Sequence, residues 1–404
     1  MNSSIAAGNK GKNARGDCYV IFEPNANGPL DIRVESSVET LYGRAIRALA
    51  EEVCRHFEVT SGRLLIQDQG ALDFVLAARI EACVKPLVQT ENFFLPVLIP
   101  QNRYESSKKR MRFSRLYLPG NSPKMMINAG VHKPHAVILD LEDSVLVSKK
   151  QEARLLVRNA LRQVDFYGAE RMVRINQLPQ GLEDLEHVVA HFPHVILIPK
   201  CESAEEVKQV DEKIGRIREQ EHIERELFLM PIIENSKGII NAYEIATSSD
   251  AIIALTIGLE DYAADLGVKR TFEGSESFYA RSHLICVCKA AGIQAIDSVF
   301  SDVGDTDGLR QTSKDSKALG FEGMGCIHPR QIAVINECFA PDSEEIEKAK
   351  KIIKAFDEAT QKGLGVVSLG TKMIDPPVVE RARHVLDQAI LLAKISKDWR
   401  SVSE

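Results

Sequence analysis

Between residues 140 and 330, ionisable and amide side chains recur directly after short apolar runs: Glu142 and Asp143, Arg174 and Asn176, Lys200, Glu234 and Asn235, Glu260 and Asp261, Asp297, and His328. Several carboxylates with few histidines and no thiolate motif suit a hard divalent cation, Mg2+ before any other, held by one or two carboxylates with water and substrate completing its shell. One arginine and one lysine in the set add fixed positive charge. Such a group suits reactions in which a carbonyl or enolate oxygen gains negative charge, with the metal as Lewis acid and the guanidinium as counter-charge; aldol-type bond making or breaking fits. The alternative is a ring of buried ion pairs with no chemical role, and any single member could merely cap the following helix.

These side chains act together only if the elements beneath them converge. Eight apolar segments, at 115–118, 136–141, 172–175, 195–198, 227–233, 252–257, 295–299 and 323–327, alternate with stretches of helical periodicity. That alternation implies a parallel sheet, and eight repeats suit a closed (β/α)8 TIM barrel better than an open doubly wound sheet. A barrel carries its active face at the C-terminal ends of its strands, where the polar residues lie. Upstream, 17–23, 31–35 and 63–67 read as strands and 37–57 and 71–84 as helices, a small α+β domain. The expected division is therefore an N-terminal domain at 1–90, a linker at 91–112 with a solvated basic run (Lys108, Lys109, Arg110, Arg112), the barrel at 113–340 and a C-terminal helical extension at 341–404.

Composition narrows the class. The 404 residues are 44% apolar and 27% charged, an ordinary folded balance, and the net charge of -6 without a basic patch argues against nucleic acid. The eight cysteines form no C-x-x-C and read as buried free thiols, and no signal peptide or membrane span is evident, so a reducing, cytoplasmic setting without membrane contact is expected.

Residues 115–384 resemble the citrate lyase β-subunit family of the wider HpcH/HpaI aldolase group, through RLYLPGN (115–121), LDLEDSV (139–145), VRIN (173–176), LIPK (197–200), PIIEN (231–235), GLEDYAADLG (258–267), AIDSVFSD (295–302), IHPRQI (327–332) and GLGVVSLGTKMIDPPVVERAR (363–383). The resemblance implies a Mg2+-dependent oxo-acid-lyase that cleaves or forms a carbon–carbon bond in a 3-hydroxyacyl thioester of citryl-, citramalyl- or malyl-CoA type, yielding acetyl thioester and a keto acid. It implies Glu234 and Asp261 as metal ligands, Glu142 and Asp143 as acceptors for metal-bound water, and Arg174 as the grip on the keto acid. The backbone N–H groups around Gly258, Leu259 and Glu260 are candidates for the substrate carboxylate. Asp375, in KMIDPP, would be delivered into a neighbouring subunit's site to handle the α-carbon proton, which implies a homo-oligomer, a trimer or a multiple of one; its alternative is an N-cap before Pro376. Arg115, Lys124, His328 and Arg330 are candidates for the CoA arm, with solvent-facing ion pairs the other option for Arg115 and Arg330.

Residues 17–84 resemble the acyl-carrier γ-subunit of citrate lyase, through SSVETLYGRAIRA (36–48) and DQGALDFVLAARIEA (68–82). In that family a Ser before Gly-Asp carries the prosthetic group; here the text is NARGDCYV, and the Arg15 guanidinium cannot form the phosphodiester. No covalent prosthetic group is expected. The unit would instead dock the barrel to itself, to other lyase subunits, or against free CoA through Arg15 and Lys12. A malyl-CoA-type thioesterase and a non-catalytic scaffold subunit remain as alternative functions. His187, His191 and His194 have a spacing that a metal could use, but lack the H-E-x-x-H context and read as a helix face. GLGVVSLG lacks a phosphate-gripping Lys and reads as an arm crossing to a neighbour.

Overall fold

The structure, a computed structural model, describes residues 4–11, 14–24, 28–88, 90, 92–361, 363, 367–369 and 372–400. Lys12 and half of GLGVVSLG, 364–366 and 370, lie outside them.

The N-terminal unit comprises β1 (Ile5–Gly8), β2 (Cys18–Glu23), β3 (Leu30–Ser36), α1 (Glu39–His56), β4 (Gly62–Asp68) and α2 (Asp73–Val84). Its sheet runs β1-β2-β4-β3, with β3 parallel to β4 and the other pairs antiparallel. Alternate residues of β2 and β4, Cys18, Val20, Phe22, Leu64 and Ile66, are buried, and pack with Ile46, Ala50 and Val53 of α1. The β1 strand is an element beyond the sequence expectation.

The barrel strands are β5 (Ser114–Pro119), β6 (Ala136–Asp140), β7 (Glu170–Arg174), β8 (Val195–Ile198), β9 (Phe228–Ile233), β10 (Ala254–Ile257), β11 (Gln294–Ile296) and β12 (Met324–Cys326). Each pairs in parallel with its sequence neighbour from β5 to β11, β12 pairs β5, and a parallel bridge between Asp297 and Met324 joins the remaining edges. The sheet is thus closed. Helices α3 (Pro123–Ile127), α4 (Lys150–Gln163), α5 (Gly181–Val188), α6 (Ala204–Gln220), α7 (Ser236–Ile240), α8 (Ala242–Ala246), α9 (Leu259–Asp265), α10 (Phe278–Ala291), α11 (Thr306–Leu319) and α12 (Pro329–Phe339) fill the crossovers. The strands read as unbroken apolar runs because both faces are covered: Ile138, Met172, Leu197 and Met230 fill the interior while Val137, Leu139, Val173 and Ile196 meet the helices. A capping box at Ser203 and Glu206 sets the start of α6.

The stretch 92–112 is a packed strap. Its carbonyls at Phe94 and Pro96 receive Arg158 and Arg162 of α4, and Asn102 donates to the carbonyls of Leu161 and Val164. The basic run expected to be solvated is corrected in part: Arg112 is fully buried and forms a fork with both oxygens of Glu170 (2.7 Å each), because the foot of β7 presents a buried carboxylate that needs neutralising. Lys108 ties to the Asp250 carbonyl.

After the barrel, α13 (Ser343–Gln361), the hairpin β13 (Val367–Leu369) and β14 (Lys372–Ile374), and α14 (Pro376–Leu391) form an extension whose apolar cluster, Ile346, Ile353, Ile374, Val379 and Leu386, is separate from the barrel core. All eight cysteines are free thiols; Cys286 is exposed and the rest are buried. Among the described residues, no helix is long and apolar enough to cross a membrane.

Candidate active site

Register builds the centre of the site. Asp140, the last residue of β6, is the register partner of Arg174, the last of β7. The two form a fork, Nε to Oδ1 at 2.7 Å and Nη2 to Oδ2 at 2.8 Å. Burial disfavours both charges, but their mutual attraction prevails: the Asp140 carboxyl is held below, and Arg174 above, the ordinary value. Arg174 is thereby fixed in orientation, with its Nη1 2.9 Å from Glu142.

Glu142 also receives Lys200 Nζ (2.9 Å) and Gln177 Nε2 (3.1 Å). Burial raises its pKa, but Arg174 and Lys200 outweigh that and hold it low. Asp143 is exposed and pushed the other way, by burial of its surroundings and then by Glu142. Lys200, which has a left-handed backbone (φ +47°), reaches Glu142, Asp143 (3.4 Å) and Asp261 (3.7 Å) with its ammonium, while its own N–H donates to Glu234 Oε1 (2.7 Å).

Glu234 follows β9 and is 4% exposed. Burial, and then the charge of Asp261, push its pKa up to about 8. Gly258 makes room for it: a Cβ there would lie 2.3 Å from Glu234 Oε2. Asp261 stands in the first turn of α9, with its side chain 43% exposed. Two interacting carboxylates in one cleft, one reluctant to ionise unaided, fit a divalent cation that retains water and substrate ligands. Among the described residues no cluster of three or more His, Cys, Asp or Glu forms a protein-only cage.

A cavity of about 500 Å³ opens at this mouth, lined by Arg115, Asp140, Asp143, Arg174, Glu234, Gly258, Glu260 and Asp261, and also by Tyr117, Thr256 and Ser298. Sequence reasoning passed over Asp140, although an aspartate closing an otherwise apolar strand was the signal for it. The proposed backbone donors are corrected. Gly258 N–H is spent on the Ile233 carbonyl in the sheet, and Leu259 N–H on Ser298 Oγ (3.1 Å), so neither is open to a substrate carboxylate. The Glu260 carboxylate pairs with Arg270 (2.7 Å).

Arg115 is also corrected. It lies on β5 with its side chain inside the barrel, 1% exposed, and not on a mouth loop where it could meet CoA or solvent. Lys124 on α3 and Arg330 on α12 are exposed beside Met125 and Ile327, which line the cavity. His328 caps α12, its Nδ1 accepting from Arg330 N–H (3.1 Å). Asp375 does not line the cavity of its own chain and caps α14, accepting from Val378 N–H (3.2 Å). His187, His191 and His194 are buried beside the strap; His187 meets Phe93, and His194 meets the Tyr104 carbonyl.

Arg15 is exposed in the turn before β2. The following Asp17 is buried and paired with Arg79 of α2 (3.0 Å), which also approaches Glu152 of α4 (3.4 Å) and donates to the carbonyl of Asn121 in the mouth loop after β5. Arg158 of α4 grips Glu81 of α2. The N-terminal unit is therefore seated on the barrel beside the mouth.

Fold and site together define a barrel enzyme of the aldolase type, with a carboxylate pair and a clamped guanidinium at the C-terminal ends of its strands. The chain belongs to the HpcH/HpaI aldolase/citrate lyase family, whose model matches residues 114–329, while residues 7–87 match the model of the malonate decarboxylase delta subunit (MdcD). Citrate lyase subunit beta of Haemophilus influenzae is 39% identical over 283 residues, covering 69% of this chain and 97% of its own. The mitochondrial citramalyl-CoA lyase of Homo sapiens is 33% identical over 306 residues, covering 72% and 90%. The structure of CitE from Mycobacterium tuberculosis in complex with magnesium, acetoacetate and coenzyme A superposes with a TM-score of 0.58 at 27% identity, covering 70% of this chain and 99% of that one.

Proposed function

We propose that this chain is a Mg2+-dependent carbon–carbon lyase that cleaves a 3-hydroxyacyl-CoA thioester of citryl, citramalyl or malyl type into an acyl thioester and an oxo acid. The observation that carries this reading is the cavity shared by the Glu234–Asp261 pair and an Arg174 that Asp140 holds rigid. Glu234 and Asp261 would hold the metal, which supplies Lewis-acid charge at the substrate's hydroxyl and carboxylate oxygens. Arg174 faces the oxygens of the departing oxo acid; because its fork is already oriented, little reorganisation accompanies the charge that builds there. The hydroxyl gives up its proton to solvent water at the open mouth, the carbon–carbon bond breaks, and its electron pair passes into the thioester enolate. Protonation at carbon completes the acyl thioester, a step assigned to Asp375 of a neighbouring copy.

The relatives named for citrate lyase, citramalyl-CoA lyase and the magnesium- and CoA-bound CitE support this chemistry. With Arg15 in place of the carrier serine, free CoA thioester is the substrate form, with Lys124, His328 and Arg330 flanking its arm. We read residues 1–90 as an acyl-carrier-like domain without its attachment serine, 91–112 as the connecting strap, 113–340 as the lyase barrel, and 341–404 as an extension reaching a neighbour in a homo-oligomer. The free thiols favour a reducing, cytoplasmic setting.

Incubation with Mg2+ and citryl-, (S)-citramalyl- or malyl-CoA tests the reading. Oxo acid and acyl-CoA in equal amounts are expected. Free CoA with an intact hydroxy acid would make the chain a thioesterase, and no reaction would leave a scaffold subunit.

A further inference from the structure

Among the described residues five arginines are fully buried: Arg79, Arg112, Arg115, Arg158 and Arg171. Three are neutralised by carboxylates, Arg79 by Asp17 and Glu152, Arg112 by Glu170, and Arg158 by Glu81. Arg171 donates to the carbonyls of Asn102 and Phe192, stacks on Tyr104, and does not line the cavity. Arg115 alone of the five does line it.

The Arg115 partners are weak. Nη2 donates to Thr256 Oγ1 (2.9 Å) and Nη1 to the Met230 thioether (3.0 Å), while the buried Nε has no partner among the described residues. Among the described residues, no carboxylate comes within ion-pair distance. Burial lowers its pKa to about 10, so the group still carries its charge at neutral pH. An uncompensated buried guanidinium is strongly unfavourable, so its presence in the wall of a substrate-sized cavity calls for an anion brought in by a ligand.

Register gives its depth. Thr256 and Ile232 are partners across β10 and β9, and lie two residues before Gly258 and Glu234, the glycine that makes room for the proposed metal ligand and that ligand itself. The Thr256 hydroxyl therefore stands one inward-facing layer, about 7 Å along the strands, below Glu234, and the guanidinium that meets both Thr256 and the still deeper Met230 lies at or beneath that layer. A CoA arm has to leave through the mouth, so the short acid end of the substrate points to this floor.

We propose that Arg115, with the hydroxyls of Thr256 and Tyr117 beside it, is an anion subsite that receives a second carboxylate of the oxo-acid half, so that cleavage releases a dicarboxylic rather than a monocarboxylic oxo acid. This rests on the lyase reading above and selects within it. A four-carbon dicarboxylate spans a gap of this order, with one carboxylate at Arg174 and the metal and the other at Arg115.

Calorimetric titration of the full chain with oxaloacetate and with pyruvate, with and without Mg2+, tests the assignment. The natural chain should bind oxaloacetate the more tightly of the two, in a Mg2+-dependent way. Arg115→Met should weaken oxaloacetate by about 100-fold and leave pyruvate unchanged, as expected for removing one partner of a buried charged pair. Its melting temperature should be unchanged or higher, because the substitution removes a buried charge that lacks a partner. Arg115→Lys, which keeps charge but not the fork, should also weaken oxaloacetate selectively and serves if the Met variant does not fold. Equal affinity for the two acids in the natural chain, or equal losses in the variants, would overturn the Arg115 assignment alone. Absence of Mg2+-dependent binding by either acid would remove the lyase reading with it.

Discussion

The Lys200 ammonium lies among Glu142, Asp143 and Asp261. A divalent cation held by Glu234 and Asp261, as proposed, would take over part of that neutralising task, and its affinity would depend on both carboxylates. Asp261 is half-exposed and its ion pair with Lys200 is 3.7 Å long, so the fold gains little from it. Asp261→Asn should therefore melt within a degree or two of the natural chain without metal, yet lose the rise in melting temperature that Mg2+ produces, and with it turnover. The loss in Mg2+ affinity should be at least the ~100-fold that follows removal of an outer hydrogen-bond partner from a metal site. Retained Mg2+ stabilisation would take Asp261 out of the site. Motif and strand end sufficed to place Arg174, Glu234 and Asp261 around one cavity. Asp140 was passed over and Arg115 was assigned to the CoA arm for one reason: whether a strand residue faces inward depends on pleat and register, and a single-residue slip reverses it.

Periodicity revealed all eight barrel strands because each is a short apolar run between helices, whereas β1 and the β13–β14 hairpin are too short to show a period. The strap had no pattern at all; its order comes from partners far away in sequence, Arg158 and Arg162 of α4, and from the histidines beneath it. Burial, aided by the nearby arginines, pushes His187 down to about 4 and His194 to about 3, with His191 well below its usual value. The imidazoles are neutral in the native protein, and His194 Nδ1 accepts from Arg171 N–H, which places the ring proton on Nε2 facing the Tyr104 carbonyl. Between pH ~6.5 and 4 the unfolded chain binds protons that the folded chain refuses, so stability falls as pH falls through that window. The melting temperature should drop by several degrees from pH 6.5 to 4.5, and hydrogen exchange should show amides at 92–112 opening first. His187→Leu should flatten the slope. A level melting curve, or a strap that stays protected, would contradict this account.

The N-terminal unit is not hung on a swinging linker: its α2 lies on α4, and Asp17–Arg79–Glu152 and Glu81–Arg158 are buried at the junction. Detaching it would leave charges unpaired, which is far more costly than exposing a neutral surface. The C-terminal extension differs. Its apolar cluster is its own, and it holds Asp375 at the start of α14, outside the cavity of the same chain. The proposed proton transfer by Asp375 would therefore take place in a neighbour's cavity, and each site would combine Arg174 of one copy with Asp375 of another. Arg174→Ala and Asp375→Ala should each abolish turnover alone. Co-expressed in equal amounts with different tags and purified through both, the two variants should regain activity, because a cyclic trimer that holds both variants keeps about one shared site in three with both natural groups. Oligomer mass measured on the same sample shows whether the chains associate. Activity recovered in a mixed oligomer requires a shared site, whereas a mixed oligomer without recovery, or a monomer, would confine Asp375 to capping α14 and return the α-carbon proton to a group within the barrel mouth.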